Sequence, residues 1–156
     1  MFERIKLFWI RYKLNLLGMA DSVFPIEIFS LSRKIADLES RESAYRIIKQ
    51  YECHPNFYVR RAALTAIRFM GEEAAKQFLD TLLQRTSDSE AWVCYDAAWV
   101  LGETKIKDDR IPIALRRVAN EFANMSTVEL EEFKPHEDSD YAKKRAAQSL
   151  HQYENN

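Results

Sequence analysis

Apolar residues recur at spacings of three and four along almost the whole chain. This is the period of a helix buried on one face. The pattern predicts helices over 2–17, 25–38, 41–52, 56–70, 72–86, 90–101, 109–124 and 140–153, with a short one over 127–133. No segment alternates as a half-buried strand does. Punctuation agrees with these limits. Gly18, Gly71 and Gly102 follow helices, as C-terminal glycines do. Pro25, Pro55 and Pro112 stand at or near helix starts. Ser40, the 86–89 stretch and Asp108-Asp109 supply N-terminal caps, and Pro135 to Ser139 reads as loop. The expectation is an all-α chain of about eight or nine helices.

Three of these segments resemble one another. VRRAALTAIR at 59–68 aligns with VCYDAAWVLG at 93–102, 34 residues later, and with AKKRAAQSLH at 142–151, a further 49. The columns Val59/Val93/Ala142, Ala63/Ala97/Ala146 and Ile67/Leu101/Leu150 are spaced i, i+4, i+8, one helix face. A fourth column holds Leu64, Ala98 and Ala147, mostly small residues that let helices approach. The first two segments are followed by a second amphipathic helix, at 72–86 and 109–124. A helix pair repeated every 34 residues or so predicts a stacked solenoid, since one pair alone cannot bury its apolar face.

The pattern V-R-x-x-A-A-x-A-L-G resembles the HEAT-like repeats of the phycobilisome-lyase type over residues 54–153, best over 88–102. The resemblance implies a right-handed α-solenoid of stacked antiparallel helix pairs. In such repeats an Arg after the Val bonds an acidic residue of the neighbouring repeat. Arg60 keeps that position, Lys143 substitutes for it, and Cys94 interrupts the series. The reading is a single domain over 1–156. Residues 1–20 form an N-terminal capping helix, 25–52 a divergent pair, and 121–140 an acidic insertion.

Composition narrows the chemistry. With 3 Gly among 156 residues, no G-x-G-x-x-G or P-loop pattern exists to cradle phosphate. The 23 basic and 24 acidic side chains nearly cancel, which disfavours a dedicated nucleic-acid binder. Cys53 and Cys94 form no framework, so both are expected reduced and buried. The longest apolar run near the N-terminus is Leu7-Phe8-Trp9-Ile10. A secretory h-region needs about 7–15 residues and a span about 20, so a cytoplasmic location is expected.

Four features are candidates for function. Trp92, Tyr95, Asp96 and Trp99 fall within about 100° of arc on helix 90–101, opposite Val93, Ala97 and Leu101. That stripe either packs on a neighbouring helix or anchors a partner. The insertion carries Glu121, Glu129, Glu131, Glu132, Glu137, Asp138 and Asp140 against Lys134, a formal charge of −6, leaving +5 elsewhere. Such density steers a basic partner. The basic clusters Arg60-Arg61-Arg68, Arg116-Arg117 and Lys143-Lys144-Arg145 read as solvated faces, with a nucleic-acid strip as the alternative. Helix 2–17 has two apolar stripes: Phe2, Ile5, Trp9, Tyr12, Leu16, and Leu7, Ile10, Leu14, Leu17. Packing between neighbours is predicted, against a membrane-surface helix.

No metal or cofactor is expected. His54, His136 and His151 are far apart, and His136-Glu137-Asp138 lacks ligand spacing. Cys94 lies on the core side of its helix. The functional expectation is therefore a non-catalytic bacterial protein-binding module. Its specific form is a toxin-neutralising immunity protein or stoichiometric inhibitor that blocks a basic toxin domain one to one. Trp92, Tyr95, Asp96 and Trp99 would anchor the partner, and Glu129, Glu131, Glu132, Glu137, Asp138 and Asp140 would steer it. Resemblance supplies two rivals: a HEAT-like DNA glycosylase, with Trp92, Trp99, Asp96 and Arg61 in one positive groove, and a bilin-lyase-type enzyme subunit.

Overall fold

The computed structural model describes residues 2–156. They form ten α-helices, with no strand among the described residues. The chain divides into two compact units, the first ending at Ala74 and the second covering Ala75–Asn156.

The first unit holds α1 (Phe2–Gly18), α2 (Pro25–Ala36), α3 (Arg41–Tyr51) and α4 (Phe57–Met70). Pro25 opens α2, and the Glu27 carboxylate accepts from the Phe24 N–H at 3.1 Å, closing the first turn. Ser40 caps α3, accepting from Ser43 N, and Asn56 caps α4, accepting from Tyr58 N. Both caps satisfy amides that a helix start leaves open. Gly71 ends α4 at φ +82°, where an L side chain is strained. The core is made by Leu14 of α1, Ile28 and Ile35 of α2, Ile47 and Ile48 of α3, and Val59, Leu64 and Ile67 of α4. The Ser32 hydroxyl of α2 is buried within 2.9 Å of the Ala62 carbonyl of α4. Such closeness of hydroxyl and backbone marks a tight helix crossing.

Helix α1 meets its neighbours on one side only. Ile10, Leu14 and Leu17 are buried, while Phe2, Ile5, Trp9, Tyr12 and Leu16 face outward. The expectation of a helix clamped along both apolar stripes is corrected here. Helices α2 and α4 pack on the inner stripe, and no described element of this unit covers the outer one.

The second unit contains α6 (Leu79–Arg85), α7 (Ala91–Glu103), α8 (Arg110–Ala119), α9 (Thr127–Glu132) and α10 (Asp138–Glu154). Helix α5 (Glu72–Gln77) spans the division. One expected helix, 72–86, is thus two: buried Phe78 leaves helical geometry at φ −108°, ψ 22° and separates α5 from α6. Helix 109–124 also stops early. Asn120 takes a positive φ of 41° and a 3-10 turn follows over Asn120–Phe122. Gly102 does not end its helix as expected, since α7 continues to Glu103.

Helix α10 is the centre of this unit and packs most heavily on α7, then on α8. Val93, Ala97, Ala98 and Leu101 of α7 and Ala142, Ala146, Ala147 and Leu150 of α10 are all buried in this unit. The Tyr153 hydroxyl donates to Ile106 O at 2.9 Å and accepts from Asp108 N at 3.1 Å, pinning the link between α7 and α8. Arg117 Nη2 of α8 donates to the Thr86 hydroxyl at 2.8 Å, tying α8 to the end of α6. No helix among the described residues is long and apolar enough to cross a membrane.

Candidate functional site

The aromatic residues of α7 are spaced i, i+3 and i+7, so Trp92, Tyr95 and Trp99 share one helix face. In the structure they form a ladder. The ring centroids of Trp92 and Tyr95 are 5.4 Å apart, and those of Tyr95 and Trp99 are 5.6 Å apart, nearly perpendicular at 88°. Edge-to-face geometry of this kind places positive ring edges on negative faces.

Helix α10 completes the ladder with residues spaced i, i+4. Tyr141 stacks on Trp92 at 5.4 Å and 27°. The Arg145 guanidinium lies 4.3 Å from the Trp99 ring centre and 5.1 Å from that of Tyr95, and its Nη2 donates to the Tyr95 hydroxyl at 3.1 Å. Its Nε is buried without a hydrogen-bond partner, an arrangement that ring contacts partly offset. Trp99 Nε1 donates to Glu103 at 2.7 Å. The three α7 rings are half-buried and Tyr141 is exposed. The α7 rings thus pack on Tyr141 and Arg145 of α10 and remain partly exposed. A shallow cleft of ≈ 220 Å³ opens beside them, lined by Tyr95, Pro135, Tyr141, Lys144, Arg145 and Gln148.

Asp96 is placed differently. It is only 5% exposed, on the inward flank of α7, so it does not join the presented aromatic face. The sequence groups it with the aromatic stripe, but in the helical projection it lies about 40° from Trp92 on the Val93 side. An accessible acid for a glycosylase-like reaction is therefore not found at Asp96.

The acidic segment is folded. Leu130 of α9 is fully buried, and Phe122 meets Phe133 with ring centres 4.6 Å apart. Ser126 and Glu129 form a reciprocal cap at the start of α9: Ser126 N donates to Glu129 at 2.7 Å, and Glu129 N to the Ser126 hydroxyl at 3.3 Å. The Ser126 backbone N–H, and then its side chain, hold the Glu129 carboxyl below its ordinary pKa by hydrogen bonding to it. Lys144 Nζ donates to Phe133 O at 2.7 Å and fixes the following loop against α10. With Phe122 and Leu130 turned inward and Val128 left exposed, the segment presents Glu129, Glu131, Glu132, Glu137 and Asp138 to solvent. Asp140 is half-buried, accepts from His136 N at 3.3 Å and lies 3.9 Å from Lys143. Pro135 and Tyr141, on either side of this acidic run, reach the cleft beside the ladder. The aromatic face and part of the acidic segment are therefore neighbours.

In the sequence Arg145 reads as part of a solvated basic cluster, and Tyr141 stands outside every candidate feature. Their i, i+4 spacing, with Tyr141 one residue before the buried Ala142 column, was the available signal. Elsewhere, Cys53 is exposed, against the expectation that both cysteines are buried; it lies just beyond the end of α3, outside the apolar core. Cys94 is buried as expected, and its Sγ contacts Asp88 O at 3.2 Å. Burial, and then the Asp88 carboxylate, raise its thiol pKa above the ordinary value. Among the described residues no three His, Cys, Asp or Glu side chains converge as a metal site would require.

No protein-family model, no curated protein and no solved structure matches this chain.

Proposed function

We propose that the chain is a non-catalytic protein-binding module and that its second unit engages a basic protein partner. The observation that carries this reading is the half-exposed ladder of Trp92, Tyr95, Trp99 and Tyr141, held rigid by Arg145, beside a run of exposed carboxylates. Aromatic rings with few torsions give contact area at low entropic cost, and they dominate protein interfaces. The carboxylates of Glu129, Glu131, Glu132, Glu137 and Asp138 would raise the rate of encounter with a positive surface. In its specific form the module is a one-to-one inhibitor, such as an immunity protein that covers a basic toxin domain.

We also read the helices as HEAT-like pairs in a right-handed solenoid. Two relations within the units support that reading. The aligned apolar columns are buried at all three occurrences. Arg60 and Cys94, which occupy the same column, both contact a backbone oxygen six residues back: Arg60 Nη1 that of His54 at 2.8 Å, Cys94 Sγ that of Asp88.

The test is affinity capture from the native host, followed by titration calorimetry and stopped-flow association with the captured protein. One-to-one binding is expected. Reversing Glu131, Glu132, Glu137 and Asp138 to lysine should slow association by roughly tenfold or more, and added salt should do the same to the wild type. Trp92→Ala should speed dissociation. Binding unchanged by both variants would overturn the proposal.

A further inference from the structure

We infer that the outer face of α1, continued by the start of α2, docks on an anionic lipid bilayer. The inference stands on the first unit alone and does not depend on the protein-binding reading. In the helical projection, Phe2, Ile5, Phe8, Trp9, Tyr12 and Leu16 fall within about 120° of arc. Met19 extends the same stripe, and Phe24 and Ile26 lie at the start of α2. Phe2, Phe8, Met19, Phe24 and Ile26 are each 71% to 75% exposed. An apolar strip running the length of a helix, about 25 Å for 17 residues, marks an interaction surface rather than scattered exposure. The core does not need it, because α1 is already anchored by Ile10, Leu14 and Leu17.

Charge identifies the occupant. Arg4 and Arg11 follow one margin of the stripe, and Lys13 follows the other together with Lys6, which is paired with Glu39 at 2.9 Å. The one acid of α1, Glu3, is turned away and accepts from Ser40 N at 3.2 Å. Lys34 of α2 adds a further cation, its Nζ 4.1 Å from the Trp9 ring centre, with Lys13 Nζ at 5.4 Å. Ammonium groups held over an indole at the edge of an apolar stripe set Trp9 beside cations, as in interfacial helices, which carry Trp and Tyr at headgroup depth. A stripe with cations on both margins complements lipid phosphates and carboxylates. A second copy of the same face would bring cation margins together, which charge disfavours. Between α1 and α2 an open groove of ≈ 560 Å³ is walled by Trp9, Leu16, Val23 and Ile26, with Lys13 and Lys34 also lining it. That is room for part of an acyl chain beneath a headgroup.

The experiment is flotation of the full chain with phosphatidylcholine vesicles, with and without about a third phosphatidylserine. Partition should rise roughly tenfold with phosphatidylserine and fall at high salt. Phe8→Glu and the pair Arg4→Glu, Arg11→Glu should each lower it by about tenfold, with helical circular dichroism unchanged because these side chains are exposed. The inference fails if phosphatidylserine vesicles do not retain the protein, if uncharged vesicles retain it equally, or if the variants bind as the wild type does. It also fails if sedimentation equilibrium shows a dimer that Phe8→Glu dissolves, since the face would then cover a second copy.

Discussion

A Cβ placed on Gly102 of α7 would stand 2.4 Å from the Cβ of Ser149 and 2.6 Å from its Cα, in α10. Backbone atoms cannot rotate away, so α10 would have to move. Gly102→Ala gains about 1 kcal/mol of helix propensity but forces apart the most extensive helix contact of the unit. A net loss of about 2 kcal/mol is expected, a fall in Tm of roughly 5 °C. Urea unfolding followed by circular dichroism checks it, and an unchanged or raised midpoint would show that the crossing is looser than described.

One turn before Ser149 in α10, Arg145 bridges the two helices by lying against the Trp99 and Tyr95 rings. A planar guanidinium can contact both rings and still donate to the Tyr95 hydroxyl, whereas an ammonium cannot reproduce the planar contact. Arg145→Lys should cost about 1 kcal/mol and Arg145→Ala about 2 kcal/mol. Tryptophan emission should shift to longer wavelength in both, as the indole of Trp99 gains water. Equal stability of wild type and Arg145→Lys would mean that the ring contacts contribute charge alone.

Much of the helical framework was legible because burial and period coincide. Val93, Ala97 and Leu101 are spaced as a helix face, and all are buried. The breaks were less legible. Phe78 interrupts 72–86 without glycine or proline, since the side chain is buried where helical continuation fails. From the sequence Gly102 reads as a terminator, because glycine often ends helices. Its use here is close approach, which depends on a residue 47 positions away and leaves no local trace. The candidate site was half legible for a related reason. Trp92, Tyr95 and Trp99 declare themselves by spacing on one helix. Their partners Tyr141 and Arg145 become visible only when α10 is laid against α7. The outer stripe of α1 was visible as a pattern, but periodicity alone cannot tell an apolar face that is covered from one that is not.

The two cysteines offer a test of burial with a definite pH dependence. Cys53 is exposed and Cys94 is buried, so the native protein should show one thiol that reacts quickly with a maleimide and one slower by roughly a hundredfold or more. In guanidinium chloride both should react. The thiol of Cys94 keeps its proton to higher pH in the folded chain than in the unfolded one, first because of burial and then because of the Asp88 carboxylate. Below the ordinary thiol pKa both states hold that proton, and the contribution to stability is complete. As pH rises past that value the unfolded chain releases the proton first, so unfolding is favoured and the contribution is lost through the raised native pKa. Cys94→Ala removes this titration while leaving the lysines and tyrosines in place. The difference in urea midpoint between wild type and Cys94→Ala should therefore be constant from about pH 6 to pH 8 and shrink above about pH 9. A difference that grows with pH would mean that the thiolate is stabilised in the folded chain, and Cys94 would then have to face a cation rather than the Asp88 side of its helix.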